Sequence, residues 1–513
     1  MEVYSKQEVP PYKNKSCNLD FNSEKERCLK AGCLFEDPDF PASDTSIFFK
    51  KKPKQAIEWK RPGELVDNPQ FFVDKHSRFD VQQGVVSNCW FQAAVANLTL
   101  HDDVFKRVVP LDQSFEKGDY AGIFHFKFWR YGKWIDVVTD DRLPTVWDED
   151  DQQQTLYSMH SEKNNEFWSA LLEKAYAKLF GSYENLDLGT TSEALEDFTG
   201  GLTEVYALQE TGAETVHEIL EHGFQIKSLF GCLIYGTMGK IRSNGLVMYH
   251  VYSVTHLRTV KLSNGGVQKL VRLRNPWGND KEWNWAWSDD SEEWDTVADE
   301  DKHSLQFTKK YDGEFWMSFD DFMTQFTHMD VCNLSAGCGV TDEFCSAKPW
   351  KEVRQDGSWI FAERTNSEVT LSTDRGEFTW MNPRYCSRFT VTNENLDPDG
   401  KCTAIVAVLH KHRRERRSQN ENDLKIGISI FRATSLSETL PERFFEREVE
   451  RSTLPVPSPT QPREITIRFR SEPGEYIIVP FTDGTNSKSE YLLRIFSTGE
   501  IKLGDQSVDA ARD

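Results

Sequence analysis

The pattern of apolar and polar residues divides the 513-residue chain into a mainly helical part and a strand-rich part. Apolar residues recur at three- and four-residue intervals over 89–109 and through EFWSALLEKAYAKLFGS, which predicts two helices. The second helix is expected to end at Gly181, because glycine adopts the left-handed conformation that closes many helices. Between the helices, alternating phenylalanines in GIFHFKFWRYGKWIDVV, interrupted by Tyr131-Gly132, predict a strand pair.

Strands dominate the chain from about Gly189 onward. The Thr-Thr-Ser cluster of DLGTTSEALEDFTGG predicts a helix start and a domain boundary, and GEFWMSFDDFMTQF predicts a strand that leads into a helix. LVMYHVYSVTHLRTVKL and VQKLVRLRN flank Asn264-Gly265-Gly266, a strong hairpin-turn signal. Beyond Lys348, short β-rich segments alternate with turns, as is typical of a β-sandwich. Prolines between 455 and 462 indicate a long loop before its last strands.

Composition and charge describe a folded protein with no affinity for nucleic acid. Hydrophobic residues make up 38% of the chain and charged residues 28%, and the formal net charge is −21. A field of that sign repels phosphates, so cations are better partners. The first residues lack an apolar signal core, and no apolar stretch is long enough to span a membrane. The ten cysteines are spread along the chain, which is typical of reduced thiols, so we expect a cytoplasmic protein.

Cys89 occupies a position that favours chemical reactivity. Asn88 is a good N-cap candidate, which makes Cys89 the first residue of the predicted helix. The free N–H groups and the dipole at a helix start favour thiolate over thiol. Gln83, six residues earlier, is placed to project its amide beside the sulfur, and with the Cys89 N–H it would supply two donors to a developing oxyanion.

His250 and Asn275 supply the other groups that a cysteine nucleophile needs. An imidazole accepts the thiol proton, and an acceptor on its other nitrogen orients it. The order Cys, His, Asn is that of papain-like proteases. The hairpin around Asn264-Gly265 brings His250 and Asn275 together, although its simplest register leaves them about four residues out of line. Trp277 is placed to cover the His–Asn hydrogen bond. Singly, each of these residues is more often structural; in combination they predict a catalytic site.

Several long segments resemble the calpain family of cysteine proteases. QGVVSNCWFQAAVANLTL, EFWSALLEKAYAKL, SEALEDFTGG, YHVYSV, RLRNPWGN and DGEFWMSFDDF are similar to its protease core, and FTWMNPRY with PGEYIIVPFT to the β-sandwich that follows. The likeness runs from about residue 31 to residue 500. It implies a calcium-dependent intracellular protease that makes limited cuts in protein substrates. The resemblance implies that Cys89 is the nucleophile and His250 the base. It also implies that Asn275 orients His250 and that Gln83 donates a hydrogen bond to the oxyanion.

We therefore predict an α+β chain with a two-lobed, papain-like cysteine protease core followed by an antiparallel β-sandwich. The predicted parts are an N-terminal tail (1–30), a mainly helical lobe with Cys89 (31–188), a β-rich lobe with His250 and Asn275 (189–340), the β-sandwich (345–500) and a C-terminal tail (501–513).

The resemblance also implies two calcium sites, since calcium binds hard oxygen ligands on loops. The first set of ligands is Asp80, Glu166 and the carbonyls of Val73 and Lys75. The second set is Glu282, Asp289, Asp312, Glu314 and the Lys310 carbonyl. Arg78 and Glu314 resemble the family pair that links the two sites across the cleft. In a chain with 82 acidic residues such groups also arise by chance, because most surface carboxylates are simply solvated.

Some features depart from the family pattern. Ser87 and Asn88 replace the usual glycine and aspartate before the cysteine. Tyr249 replaces the glycine before the histidine, where its ring is expected to fill part of the substrate cleft. No loop has the alternating acidic ligands of a helix-loop-helix calcium hand, so we expect no dimerisation with a small calpain subunit. The basic segment HKHRRERR (His410–Arg417) has two interpretations. It is either a solvated loop or a contact for anionic lipid, and in the second case the protein is expected to associate with membranes when calcium binds.

Two other functions remain open from the sequence. A catalytically impaired calpain-like scaffold, which binds calcium and partners without cutting, is favoured by Tyr249 and Ser87. A transglutaminase also combines cysteine and histidine on a calcium-responsive fold with β domains. Its third residue is an aspartate, however, so Asn275 within RNPWG disfavours this alternative.

Overall fold

The computed structural model describes residues 19–51, 56–149, 152–279, 281–334, 350–359, 368–373, 376–381, 387–394, 396–414, 426–432, 448–453, 463–482 and 489–503. Contacts divide the chain into one unit that spans 16–347 and a second that contains 348–513. Helices and strands occur together in the first unit, and strands build the second, which confirms the predicted α+β class. None of the described helices is long and apolar enough to cross a membrane.

The first unit contains both helices and strands. Its described α-helices are α1 (Phe21–Ala31), α2 (Pro62–Leu65), α3 (Cys89–Leu98), α4 (Asp102–Val108), α5 (Trp168–Phe180), α6 (Thr191–Thr199), α7 (Leu208–Thr211), α8 (Ala213–Gln225), α9 (Asp299–Ser304) and α10 (Phe319–Gln325). Its described strands are β1 (Glu58–Lys60), β2 (Ile123–Arg130), β3 (Lys133–Asp140), β4 (Leu143–Asp148), β5 (Gln153–Leu156), β6 (Leu202–Ala207), β7 (Leu229–Leu233), β8 (Val251–Lys261), β9 (Val267–Arg274), β10 (Glu314–Ser318) and β11 (His328–Asn333).

The first core surrounds α3 and α5. Both helices are buried on nearly every face, and they are packed by aromatic side chains such as Phe91 and Tyr176, whose rings stack 4.6 Å apart. Helix α5 ends at Gly181, which has a left-handed φ of 96°, as predicted. The single helix predicted over 89–109 is instead the two helices α3 and α4, because His101 between them adopts an extended conformation.

Residues 21–30, predicted to belong to an extended or short helical N-terminal tail, form most of α1. This helix buries Phe21 and Cys28 in a small cluster with Ile123 of β2 and Val138 of β3. Because so few apolar residues make the buried face, the sequence pattern of α1 resembles that of a polar tail.

The second core lies on an antiparallel sheet with the strand order β10-β9-β8-β7-β11-β6. Helices α8 and α10 contribute apolar side chains to it. Helix α6, which the predicted boundary at 189 assigns to this lobe, packs instead into the first core through Leu195 and Phe198. The predicted boundary between 188 and 189 therefore does not coincide with the edge of the first core.

The predicted hairpins are both present in the first unit. Strands β2 and β3 pair around the two-residue turn Tyr131-Gly132. Strands β8 and β9 pair around the Asn264-Gly265 turn, and their register shifts by one residue between Val254 and His256. This bulge reduces the predicted register mismatch between His250 and Asn275 by one residue. Strand β10 leads directly into α10, as predicted.

The second unit is a β-sandwich. Its described strands are β12 (Lys351–Trp359), β13 (Glu368–Thr373), β14 (Gly376–Met381), β15 (Ser387–Val391), β16 (Cys402–His410), β17 (Ile426–Arg432), β18 (Glu448–Thr453), β19 (Glu464–Ser471), β20 (Gly474–Thr482), β21 (Ser489–Ser497) and β22 (Ile501–Leu503). One sheet has the order β12-β21-β16-β19 and the other β18-β17-β20-β15-β22. Val406 and Ile495 from the first sheet share one core with Ile428 and Ile478 from the second.

The predicted C-terminal tail and the predicted proline loop both belong to this unit. The C-terminal tail predicted at 501–513 is wrong for β22, which pairs with β15 and buries Ile501, so the sandwich continues past residue 500. The long proline loop predicted between 455 and 462 lies outside the described residues.

Candidate active site

Cys89 is the first residue of α3, as predicted, and is half-buried. Burial raises the pKa of its thiol, although the N–H groups of Val251, Trp90 and Cys89 itself act to lower it. The thiolate expected at a helix start is therefore disfavoured in this conformation, because desolvation outweighs the helix-terminal donors. The Val251 N–H comes from the second lobe, so the structure brings the sulfur next to the residue that follows His250.

Asn88 occupies the N-cap position but does not act as the predicted side-chain cap. Its side chain makes no hydrogen bond to the first turn of α3. Instead, its Nδ2 donates to the Glu173 carboxylate and its Oδ1 accepts from Gln92 Nε2 at 2.8 Å. Glu173 is fully buried on α5, and burial raises its pKa to about 7.

His250 and Asn275 meet as predicted. His250 Nε2 lies 2.7 Å from Asn275 Oδ1, and both residues are buried. Burial lowers the pKa of His250 to about 4, although the hydrogen bond to Asn275 acts to raise it. His250 is therefore neutral at pH 7, and with Nδ1 free of hydrogen bonds among the described residues, it can accept a proton from that side.

Asn275 is held by two main-chain contacts that the sequence did not reveal. Its backbone N–H donates to the Gly313 carbonyl at 2.7 Å, and its Nδ2 donates to the Lys281 carbonyl at 2.8 Å. Gly313 in turn donates its N–H to the Glu282 carboxylate at 2.5 Å. The orienter of His250 is therefore bonded to the same loops that carry the second predicted set of calcium ligands.

Trp277 and Gln83 are bonded to each other across the two lobes. The Trp277 ring lies 4.7 Å from the His250 ring, which agrees with the predicted covering position. Its indole N–H donates to Gln83 Oε1 at 2.7 Å, while Gln83 Nε2 donates to the Val86 carbonyl at 3.1 Å. In this conformation the predicted oxyanion donor is already occupied within the protein.

Tyr249 carries backbone strain beside the nucleophile. Its φ of 54° lies in the left-handed region, which side chains other than glycine rarely adopt. Burial raises the pKa of the Tyr249 phenol, and the Cys89 sulfur is close enough to raise it further. The phenol and the thiol are therefore close enough to interact electrostatically.

The first set of predicted calcium ligands is only partly grouped. Asp80 and Glu166 are buried, and burial together with the nearby Asp80 charge raises the pKa of Glu166 to about 7. The Val73 carbonyl accepts from the Lys163 ammonium at 2.7 Å, so a cation from the protein already occupies one predicted ligand. Lys75 is exposed.

The second set contains two buried carboxylates, Glu282 and Asp289, and the half-buried carboxylate of Asp312. Burial, with the charges of Asp289 and Asp312, raises the pKa of Glu282 to about 8. Burial raises the pKa of Asp289 to about 6 and also raises that of Asp312. Asp289 accepts from the Lys310 N–H at 2.9 Å. Such mutual repulsion is relieved by a divalent cation, so the donors fit calcium in chemistry and charge.

The arrangement of these donors is nevertheless not a finished coordination shell. Within the described ranges, no group of three or more His, Cys, Asp or Glu side chains is placed to hold a metal ion. Arg78 and Glu314 form the predicted link between the lobes, with Nε–Oε1 and Nη2–Oε2 distances of 2.6 Å each. The Glu314 carboxylate is therefore paired with a guanidinium in this conformation.

Sequence reasoning missed Glu173, Gly313 and Lys281. Glu173 had a signal, since it lies in the mostly apolar helix segment WSALLEKAYAKLF. A charge in such a helix is expected to have a buried partner. The other two act through main-chain atoms, so their side-chain identity gave no signal.

Two models of known protein families match this chain. The model of the calpain family cysteine protease matches residues 35–333, and that of calpain large subunit domain III matches residues 356–496. The chain therefore belongs to the calpain family of cysteine proteases.

Its relatives are similar along nearly the whole chain. It is 46% identical over 505 residues to calpain clp-4 of Caenorhabditis elegans, covering 94% of this chain and 68% of that protein. It is 43% identical to calpain-B of Drosophila melanogaster, covering 93% and 51%, respectively. It is 40% identical to the calpain-2 catalytic subunit of Homo sapiens, covering 96% and 70%. The chain thus spans about half to two thirds of the length of such relatives.

Proposed function

We propose that this protein is a calcium-regulated cysteine endopeptidase that makes limited cuts in intracellular proteins. The observation that carries the proposal is the 2.7 Å contact between His250 Nε2 and Asn275 Oδ1, in the same site as a cysteine at the start of a helix. Membership of a cysteine protease family supports the same reaction class.

In the proposed reaction the Cys89 thiol gives its proton to His250, and the sulfur attacks the carbonyl carbon of a peptide bond. A C–S bond forms, and the N–H groups at the start of α3 stabilise the resulting oxyanion. His250 returns its proton to the leaving amine as the C–N bond breaks. Water then hydrolyses the thioester and regenerates the thiol.

Contacts between the lobes support regulation of this reaction. No hydrogen bond joins Cys89 to His250 in the described part of the chain, while Trp277 of the second lobe is bonded to Gln83 of the first. In the proposed reaction the lobes rearrange so that the proton passes directly from Cys89 to His250. Bound calcium supplies positive charge to the buried carboxylates of the two predicted sites. Within this chain, the Glu282–Gly313–Asn275 hydrogen bonds and the Arg78–Glu314 pair connect those carboxylates to the catalytic groups.

Cleavage of casein with and without calcium tests the proposal. We expect cleavage that requires calcium and is abolished in Cys89→Ala, with a peptide epoxide labelling Cys89 only when calcium is present. Cys33→Ala is the matched control, because that cysteine is exposed and lies outside the site. Absence of cleavage and of labelling in a folded wild-type protein would contradict the proposal.

A catalytically impaired scaffold is the second candidate, and Tyr249 is the observation that favours it. The ring stands beside the thiol on a strained backbone, where it competes with substrate for space. Cleavage by Tyr249→Gly but not by the wild type would support the scaffold function. Calcium binding without cleavage by either protein would support it more strongly.

We place the protein in the cytoplasm, in line with its reduced cysteines. Contact with anionic lipid through 410–417 stays a prediction with less support. Within the described part of this segment, Lys411 pairs with Asp356, and His412 lies 3.8 Å from Glu490. These acidic neighbours reduce the positive field that a lipid headgroup would meet.

A further inference from the structure

The Asn88 side chain does not cap α3, although the residue stands at the N-cap position. Asparagine is among the strongest N-cap residues, and Asn88 stands at the N-cap of the ten-residue helix α3. A capping Oδ1 would accept the N–H of the second or third helical residue, Trp90 or Phe91. Instead, Asn88 Oδ1 accepts from Gln92 Nε2, and the first turn of α3 receives no side-chain cap.

Glu173 accounts for this orientation. Its carboxylate has no exposed surface, and it accepts hydrogen bonds from Asn88 Nδ2 and from the Met159 N–H at 2.5 Å. Above about pH 7, where Glu173 is ionised, a hydrogen bond to its carboxylate is about twice as strong as one between neutral groups. A buried carboxylate that lost a donor would also be left partly unsatisfied. The Asn88 side chain therefore bonds to Glu173 on α5 and does not cap its own helix.

The second residue of α3, Trp90, directly follows the nucleophile, and its N–H is one that a capping Asn88 oxygen would accept. The Trp90 and Cys89 N–H groups both lower the pKa of the Cys89 thiol, which burial raises. The Phe91 N–H is already bonded to the Asn88 carbonyl at 2.9 Å. The Trp90 N–H is thus the donor for which a capping Asn88 would compete with the sulfur.

We propose that Glu173 is a positioning residue for the nucleophile: it holds the Asn88 side chain away from the start of α3, so that the Asn88 amide oxygen does not compete with the Cys89 sulfur for the Trp90 N–H. The inference rests on the proposed function and extends it, because it explains what keeps an N–H donor beside the Cys89 thiol. Gln92 completes the arrangement by bonding the amide oxygen, while its own Oε1 has no hydrogen-bond partner.

Other ionisable groups surround the two residues. Tyr249 and Tyr252 lie near the Cys89 sulfur, and Tyr157 and Tyr183 lie near the Glu173 carboxylate. Burial raises the pKa of each of these phenols, so they remain neutral up to about pH 9. His250 is neutral above about pH 5 for the reason given above. These phenols and His250 therefore keep one charge state between these limits, whereas Glu173, whose pKa burial raises to about 7, changes charge within them.

The test measures Cys89 itself rather than proteolysis. Full-length protein without calcium is alkylated with iodoacetamide between pH 6 and 9, and the rate at Cys89 is read from its peptide by mass spectrometry. Glu173→Met removes the acceptor, so Asn88 turns to the helix and the Cys89 rate at pH 7 should fall about three- to tenfold. Glu173→Gln, which keeps one acceptor for two donors, should give a smaller decrease.

The decisive variant is Glu173→Met combined with Asn88→Ala. Deletion of the competing side chain should restore the Cys89 rate to near the wild-type value, although Glu173 is absent. Asn88→Ala alone should change the rate little. The exposed Cys33 is the internal reference, since its rate should be equal in all variants.

An unchanged rate in Glu173→Met, or a reduced rate that Asn88→Ala does not restore, would overturn the proposal and leave Glu173 as a packing residue. If Glu173→Met does not fold, the same comparison is made with Glu173→Gln. Failure of casein cleavage in the wild type would instead refute the proposed function, and the alkylation rates would still decide the role of Glu173.

Discussion

The nucleophile side and the histidine side of the site are built differently. Cys89 depends on main-chain N–H groups and is supported from behind by Asn88 and Glu173. His250 depends on a side-chain partner, Asn275, which is itself bonded to main-chain carbonyls. Burial keeps both reacting groups neutral, since it raises the pKa of the thiol and lowers that of the imidazole to about 4.

This difference shows where control of the reaction lies. Each lobe carries its own reacting group, and in the proposed reaction the proton passes from Cys89 on one lobe to His250 on the other. The described structure contains no direct hydrogen bond between them, whereas Arg78–Glu314 and Gln83–Trp277 bond the two lobes at other points. We therefore place the proposed regulation at the junction, and variants of each side and of the junction should have separable effects.

The largest effect is expected on the histidine side. His250→Ala removes the proton acceptor, so kcat for a peptide substrate at saturating calcium should fall about 10²- to 10⁴-fold. The matched control is His303→Ala, an exposed histidine of the same lobe, which should retain full activity. Activity of His250→Ala equal to that of the control would remove His250 from the mechanism.

A change on the nucleophile side should alter how stability depends on pH. Burial raises the pKa of Glu173 from 4.5 to about 7, so the folded state binds its proton more tightly than the unfolded state. The contribution of Glu173 to the free energy of unfolding is fully present below about pH 4.5 and is lost as the pH rises through about 7. The loss is about 3 kcal/mol at 1.4 kcal/mol for each pH unit.

Glu173→Gln should remove this share of the pH dependence, which urea unfolding followed by tryptophan fluorescence at pH 5, 6 and 7 would measure. Glu116→Gln, at an exposed glutamate, should keep the wild-type slope. An equal slope in the Glu173 variant would show that the carboxylate is ionised in the folded protein throughout this range.

The junction should show an intermediate effect. Arg78→Ala leaves the half-buried Glu314 carboxylate without its bidentate partner, so we expect a loss of about 2 kcal/mol in the free energy of unfolding. Arg258→Ala is the control, because that arginine is exposed on the same lobe as Glu314. If the two variants are equally stable, the pair does not hold the lobes together.

The smallest effect concerns Tyr249. Glycine adopts a φ of 54° without strain, so Tyr249→Gly should gain about 1 kcal/mol in backbone energy and increase the Cys89 alkylation rate by opening the site. Tyr131→Gly is the control, since Tyr131 has a φ of 50° in a hairpin turn of the other lobe. It should change stability alone. A similar alkylation rate in both variants would show that the Tyr249 ring does not cover the thiol.

Local pattern was sufficient for much of the fold. The end of α5 at Gly181, both hairpins and the strand-to-helix step at β10 follow from turn residues and periodicity, which act within a few positions. It was not sufficient for α1 or for β22. Both are short, and each is stabilised by partners far away in sequence.

The sequence by itself determined the family and which residues stand at the candidate site, because motif order and residue chemistry are carried by the chain. Only the tertiary structure decided their state. Burial made the thiol and imidazole neutral, and a distant carboxylate turned Asn88 away from its helix. Desolvation and long-range hydrogen bonds depend on what surrounds a group in three dimensions, and neighbours along the chain do not reveal it.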